Sequence, residues 1–238
     1  MFNPKGNTTV PVASLVCGIM SSVVYVGATV LGAMQWKGYS WTTQSVSELF
    51  ALDAPSRSIV APAFLLYGIL VIAFGWGVWL TTGTNKTLRI VGATLILYGI
   101  AGETGPIFFS MHTYVRGGDQ MLQSDVLHIV LTMALVLLIL ISVGFGAAAF
   151  GRRFRIYSIV TLAAVVVFGA LAGSQGPALA AGQPTPWLGL TERINIYSFT
   201  TTIMILPRGV QLPRAADALN LVARQYYGRR WYALSLSS

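Results

Sequence analysis

The chain reads as all-α: a polytopic transmembrane bundle of six helices with both termini cytoplasmic. Three observations predict this. Of 238 residues, 55% are hydrophobic and only 9% charged, whereas soluble domains carry about 25% charged residues. The apolar residues fall into runs of membrane length separated by short polar turns. The basic residues alternate with those runs. With six spans, Lys5, Lys86, Arg89, Arg152, Arg153, Arg155, Arg208, Arg214, Arg224, Arg229 and Arg230 share one side, and only Lys37, Arg57, Arg116 and Arg193 lie opposite. Basic loops are retained in the cytoplasm, which fixes the expected orientation.

The elements follow in order. Val10 to Met34 is the first span, too long for the apolar core of a cleaved signal and therefore expected to stay as a helix. Gln35 to Ser58 is a polar loop whose centre, Gln44 to Phe50, is amphipathic and is expected to form a short helix on the membrane surface. Ile59 to Leu80 is the second span, with Trp76 and Trp79 as interface anchors. A turn with Gly83, Asn85 and Lys86 leads to the third, Arg89 to Ser110. Ser124-Asp125 opens a long apolar run to Phe150, as a helix N-terminus does. The basic turn 151–155 precedes the Ala- and Gly-rich fifth span, Ile156 to Ala181.

The sixth span, opened by Glu192-Arg193, is the shortest. Its apolar part, Ile194 to Leu206, covers roughly 20 Å before Pro207 and Gly209. Charge decides for it, because five spans would place the basic tail outside. The expected division is a six-helix transmembrane domain over 1–207 and a basic cytoplasmic tail over 208–238, with Arg214 to Arg224 as an amphipathic segment drawn to the inner leaflet. The formal charge of +8 thus sets topology. No basic, aromatic-interleaved domain of a nucleic-acid binder is present. Cys17 is the single cysteine, which excludes an intrachain disulfide and a thiolate metal site.

Glu103 is the focus of the functional reading. An ionisable residue inside a span is costly and marks a functional site by default. It is expected to be neutralised by a proton, or paired with His128 or an outer arginine. Gly105-Pro106 follows and is expected to break the helical ladder. Ala172 to Pro177 in the fifth span echoes this segment, with Gln175 in the polar position, as two bent helices lining one cavity would.

Ser124, Asp125 and His128 share a helical face, and a Glu103–His128 pair at a cavity could transfer protons. With His112 and His128 the only histidines, a zinc site lacks its ligands, and no metal is expected. A Ser-His-Asp set can be drawn from Ser47 or Ser124, His128 and Asp125, but no Gly-x-Ser-x-Gly sequence accompanies it. Ser47-Glu48-Leu49 and Thr191-Glu192-Arg193 both suit helix starts. An ion pair of Arg193 with Glu48 or another outer acid would explain the cation that the helix dipole disfavours there.

The loop Gln44-Ser45-Val46-Ser47-Glu48-Leu49, the His-bearing fourth span and Gly189-Leu190-Thr191-Glu192-Arg193-Ile194-Asn195-Ile196-Tyr197 together resemble the DUF998 family, over roughly Pro11 to Ile205. The resemblance implies a six-span prokaryotic membrane protein of unestablished biochemical role. Two departures stand out. Gly105-Pro106-Ile107-Phe108-Phe109 lacks the aspartate that members place after the third span, and the sixth span breaks at Leu206-Pro207. The expected function is therefore that of a multi-pass cell-membrane protein that binds, senses or transports a small or lipidic molecule. Its outward-facing polar cavity would lie near Glu103, Gln175 and His128, with Ser47, Glu48, Asp125, Glu192 and Arg193 as further candidates. The rival is a membrane-embedded lipid hydrolase at the outer leaflet. Membrane lipid is the expected partner, nucleic acid is not, and the sequence names no cofactor.

Overall fold

The computed structural model describes residues 9–82, 85–113 and 123–209. The helices are α1 (Thr9–Gln35), α2 (Arg57–Thr81), α3 (Lys86–Phe108), α4 (Gln123–Ala149), α5 (Arg152–Gly173), the five-residue α6 (Gly176–Ala180) and α7 (Leu188–Gly209). A 3-10 turn, Ser47–Phe50, lies between α1 and α2, and no strand occurs among the described residues. Five of the six long helices are long and apolar enough to cross a membrane; α7 falls short in hydropathy.

Packing closes the six long helices into a ring, in the order α1, α2, α3, α4, α5, α7 and back to α1. The ring is filled by aromatic side chains. Tyr25 stacks on Phe64 at 4.9 Å, and Tyr98 of α3 meets Phe199 of α7 across the interior at 5.0 Å. Successive helices run antiparallel. On α2 and α3, Gly75 faces Gly92 so closely that a Cβ on either would lie within 2.9 Å of the other's carbonyl oxygen. Small residues allow this approach, as is usual where helices pack in lipid. One end of the ring carries the 36–56 loop, residues 109–113, the start of α4 and the 174–187 connection, and is here called the capped end. The opposite end has tight turns, one opened by Asn85, whose side chain caps α3 by accepting the Leu88 amide at 3.2 Å.

Three expectations change. The sixth helix is 22 residues, about 33 Å long, and starts at Leu188, a turn before Glu192. Its low hydropathy comes from polar residues that are buried inside the protein: Thr191, Arg193, Asn195, Thr200 and Thr202. They meet polar partners. Asn195 Nδ2 donates to Val165 O at 2.7 Å, and Ser22 Oγ donates to Thr200 O at 3.0 Å. Hydropathy therefore under-reads α7, whose polar side faces its neighbours.

Second, Gln44 to Phe50 is no surface helix. Glu48, Leu49 and Phe50 are buried, and Phe50 packs on Phe64 at 5.2 Å. Ser45 and Glu48 form a capping box: the Ser45 amide donates to Glu48 Oε2 at 2.6 Å, and the Glu48 amide donates to Ser45 Oγ at 3.2 Å.

Third, the two Gly-Pro segments do not line one cavity. α4 stands between α3 and α5 in the ring. α3 continues through Pro106 to Phe108, whereas the fifth span breaks at Ser174-Gln175 and resumes as α6. The Arg214 to Arg224 segment, the rest of the tail from 210, and Asp119 lie outside the described residues.

Candidate functional site

Acids hold the capped end together by accepting backbone amides. Glu192, in the second turn of α7, reaches the loop: Val46 N donates to its Oε2 at 2.8 Å and Ser47 Oγ to its Oε1 at 3.3 Å. Asp125, in the first turn of α4 and 1% exposed, accepts the His112 amide and lies 3.0 Å from His112 Nδ1. Asp53 accepts both the amide and the hydroxyl of Thr113. Burial pushes the Asp53 carboxyl up, but these two bonds, with its own backbone amide and the nearby His112, together hold the group below its ordinary value. Together with the bond from Leu52 N to Met111 O, the two Thr113 bonds tie the 36–56 loop to the end of α3.

Arg193 completes this layer. Its Nη1 donates to the carbonyls of Trp41, Gln44 and Gly189 at 2.8 to 2.9 Å, and its Nη2 donates to the Tyr39 hydroxyl. The guanidinium lies over the rings of Trp41 at 4.7 Å and Tyr39 at 5.5 Å. Where an ion pair was expected, the hydrogen bonds of Arg193 go to neutral oxygens. Tyr39 in turn donates to Ser45 O at 2.7 Å. Burial raises its phenol well above the usual range, although the neighbouring Arg193 pulls the other way.

Arg57, at the start of α2, makes the corresponding junction on the opposite side. It donates to Phe50 O at 2.6 Å, to Ser110 Oγ at 3.2 Å and to Pro106 O at 3.2 Å. The Pro106 carbonyl, in the last turn of α3, is thus held by a cation.

Four buried side-chain atoms lack a hydrogen-bond partner among the described residues: Arg193 Nε within this layer, Ser158 Oγ on α5, and two beneath the layer, on His128 and Glu103. His128 sits on α4 a turn below Asp125, 6% exposed, with its ring 5.9 Å from that of Phe50. Its Nδ1 lies 2.9 Å from the Phe109 carbonyl, which can only accept, so Nδ1 carries the proton and Nε2 is a bare acceptor. That Nε2 is buried and has no hydrogen-bond partner.

Glu103 is the second case. One of its carboxyl oxygens, Oε1, lies 1.7 Å from where a Cβ on Gly68 would be, so the carboxyl occupies the notch that this glycine leaves in α2. The other, Oε2, is enclosed and unpartnered. The rest of the side chain is half-buried. On α3 it shares a stripe with Ile100, 51% exposed, and Ile107, 60% exposed. Glu103 therefore stands at the α2–α3 seam, on the flank of the ring that faces outward from it.

The structure thus brings Ser47, Glu48, Glu192 and Arg193 into one clamp, and places Asp125 and His128 on consecutive turns of α4. Gln175 belongs to neither group. It lies on the break between α5 and α6, where its Oε1 accepts the Trp187 amide at 3.2 Å. The drawn Ser-His-Asp set is not assembled at His128, whose Nδ1 faces Phe109 O while Asp125 holds His112. Sequence reasoning missed Tyr39, Arg57 and Gly68. Only the Ser45-x-x-Glu48 spacing carried a local signal, that of a capping box.

No curated protein and no solved structure matches this chain. The family model of DUF998, described as a protein of unknown function, matches residues 19–208, from within α1 to the end of α7. The chain is an integral membrane protein with several apolar helices, and it belongs to the DUF998 family.

Proposed function

We propose that this protein binds, senses or transports a small or lipidic molecule at a polar site near Glu103 and His128. One observation carries the reading. In a capped end where four acids each accept a backbone amide, Glu103 Oε2 and His128 Nε2 are buried without a partner among the described residues. Buried polar atoms are seldom left unpaired, and the exceptions concentrate where a ligand or ion completes them. His128 Nε2 accepts, and the Glu103 carboxyl accepts and, when protonated, also donates, so the ligand brings a hydrogen-bond donor. A hydrolase at the same place would need a nucleophile on His128 Nε2, which has none.

The orientation follows from charge. Lys86, Arg89, Arg152, Arg153 and Arg155 lie at the turn end, so we read that end as cytoplasmic, α7 as a sixth span and the site as outward-facing. The membrane is the cell membrane in this reading.

The test is ligand-dependent stability of the purified chain, screened against membrane lipid extract and small polar molecules. A fraction that raises the unfolding temperature of the wild type, but not of Glu103→Gln or His128→Phe, supports the proposal. Equal stabilisation of all three proteins overturns it. Turnover of lipid esters that is lost in both variants replaces it with the hydrolase.

A further inference from the structure

We propose that the occupant of the Glu103 site is a lipid with a hydrogen-bond donor in its head, a neutral lipid alcohol, which reaches Glu103 from the hydrocarbon along the α2–α3 seam. The inference rests on the reading that the Glu103 region binds a ligand, and adds its route and its chemistry.

The route comes from the stripe on which Glu103 sits. Ile100 and Ile107, one turn to either side on α3, are exposed, and so are Leu65 and Ile69, which flank Gly68 on α2. In a helix that crosses the membrane, such side chains face lipid tails. The stem of Glu103 shares their flank, while its carboxyl is folded back into the Gly68 notch. The residue lies five positions before the end of α3, about 7.5 Å in from the capped end. At that depth a lipid hydroxyl can be reached by its own head while its tail stays in hydrocarbon.

The chemistry comes from the orphaned oxygen. Oε2 accepts from nothing among the described residues, and an isolated carboxylate in hydrocarbon is too costly to persist. A protonated carboxyl paired with an alcohol gives both groups a partner. Among the described residues no cation pairs with it: the hydrogen bonds of Arg57, the basic side chain tied to this part of α3, go to Pro106 O, Phe50 O and Ser110 Oγ. The empty site keeps the carboxyl in the notch. The occupied site draws it out onto the flank.

The full chain in phosphatidylcholine vesicles is treated with dicyclohexylcarbodiimide, which dissolves in the bilayer, or in parallel with a water-soluble carbodiimide. The carboxyl proton passes to a carbodiimide nitrogen, the carboxyl oxygen bonds to the central carbon, and the acyl group then shifts to nitrogen. The product is a stable N-acylurea, and nothing leaves. Peptide mass spectrometry reads the adduct at Glu103, with Glu103→Gln as the blank. The lipid-soluble reagent should label Glu103 and the water-soluble one should not. Dioleoylglycerol should slow labelling roughly tenfold once it stands about tenfold above its dissociation constant. Its acetylated form, with the same chains and no donor, should not. Gly68→Ala, which closes the notch, should speed labelling. Labelling by the water-soluble reagent alone overturns the lipid route and leaves an outward aqueous site standing. Absence of labelling by either reagent overturns access to Glu103 altogether. Equal protection by both lipids overturns the donor.

Discussion

Glu192 and Glu103 are both carboxylic acids on long helices, near the same end of the ring, yet they are treated in opposite ways. Glu192 has both oxygens bonded to the loop that crosses above it, and its neighbour Arg193 is held by three carbonyls and a phenol. Glu103 has a glycine notch for one oxygen and nothing for the other. The first arrangement engages both carboxyl oxygens, leaves Arg193 Nε as its one unpartnered buried atom among the described residues, and fastens α7 to the α1–α2 loop. The second leaves a partner missing. In a protein with so few charges, an acid is identified as structural or functional by whether its hydrogen bonds are complete, and the residue type alone does not decide.

The contrast is broken most sharply at Arg193. Arg193→Leu leaves the Trp41, Gln44 and Gly189 carbonyls and the Tyr39 hydroxyl without their donor. Bonds to a charged group contribute about 1.5–3 kcal/mol each, so a loss of at least about 3 kcal/mol is expected in denaturant unfolding of the solubilised protein. A variant as stable as the wild type would mean that the clamp does not hold the loop.

Glu192→Ala comes next. It strips the acceptor from Val46 N and Ser47 Oγ, for an expected cost of about 1–3 kcal/mol. Glu192→Gln keeps an acceptor and should recover part of that, read as a smaller fall in the unfolding midpoint. Equal losses in the two variants would show that shape, and not the bond, is what Glu192 contributes.

At the seam, Gly68→Ala should cost about 1–3 kcal/mol by driving a methyl into the Glu103 carboxyl. The test is a double-mutant cycle. In a Glu103→Ala background most of the cost should vanish, a coupling of about 1 kcal/mol or more. An unchanged cost would assign Gly68 to helix packing, as Gly75 and Gly92 are assigned.

The smallest effect is at Asp53. Its carboxyl is held below the ordinary value, so its contribution is present above the unfolded carboxylate value of about 3.9 and is lost as pH falls through the folded value. The side chain is exposed, which limits the effect to under about 1 kcal/mol. Asp53→Asn should flatten the acid limb of a stability profile, and an unaltered limb would place the dependence on another carboxyl.

Length and apolarity made five of the helices legible, because lipid imposes both on any spanning segment. They failed for α7, since hydropathy averages over a helix and cannot tell which side faces lipid. Asn195 and Thr202 count against a span in the average, yet both are buried against α5. Glu103 stood out in the sequence through cost alone. Its setting did not, because the notch is made by the absence of a side chain at Gly68, thirty-five positions earlier. Arg193 was matched to the wrong kind of partner for a related reason: backbone carbonyls leave no mark in a sequence.

The buried polar face of α7 also bears on how the protein is made. During synthesis α7 emerges after the five other long helices. On its own it is a weak candidate for partition into lipid, since polar and charged side chains oppose insertion. Thr29 of α1 and Thr161 of α5 offer hydroxyls to Tyr197 and Thr202 at 3.0 and 3.4 Å. A bilayer that already holds α1 and α5 is thus a better solvent for α7 than lipid alone. In the six-span reading proposed above, membrane integration of this helix depends on the earlier ones being in place, and a chain whose α1 or α5 is defective should leave α7 outside the bilayer, open to proteolysis.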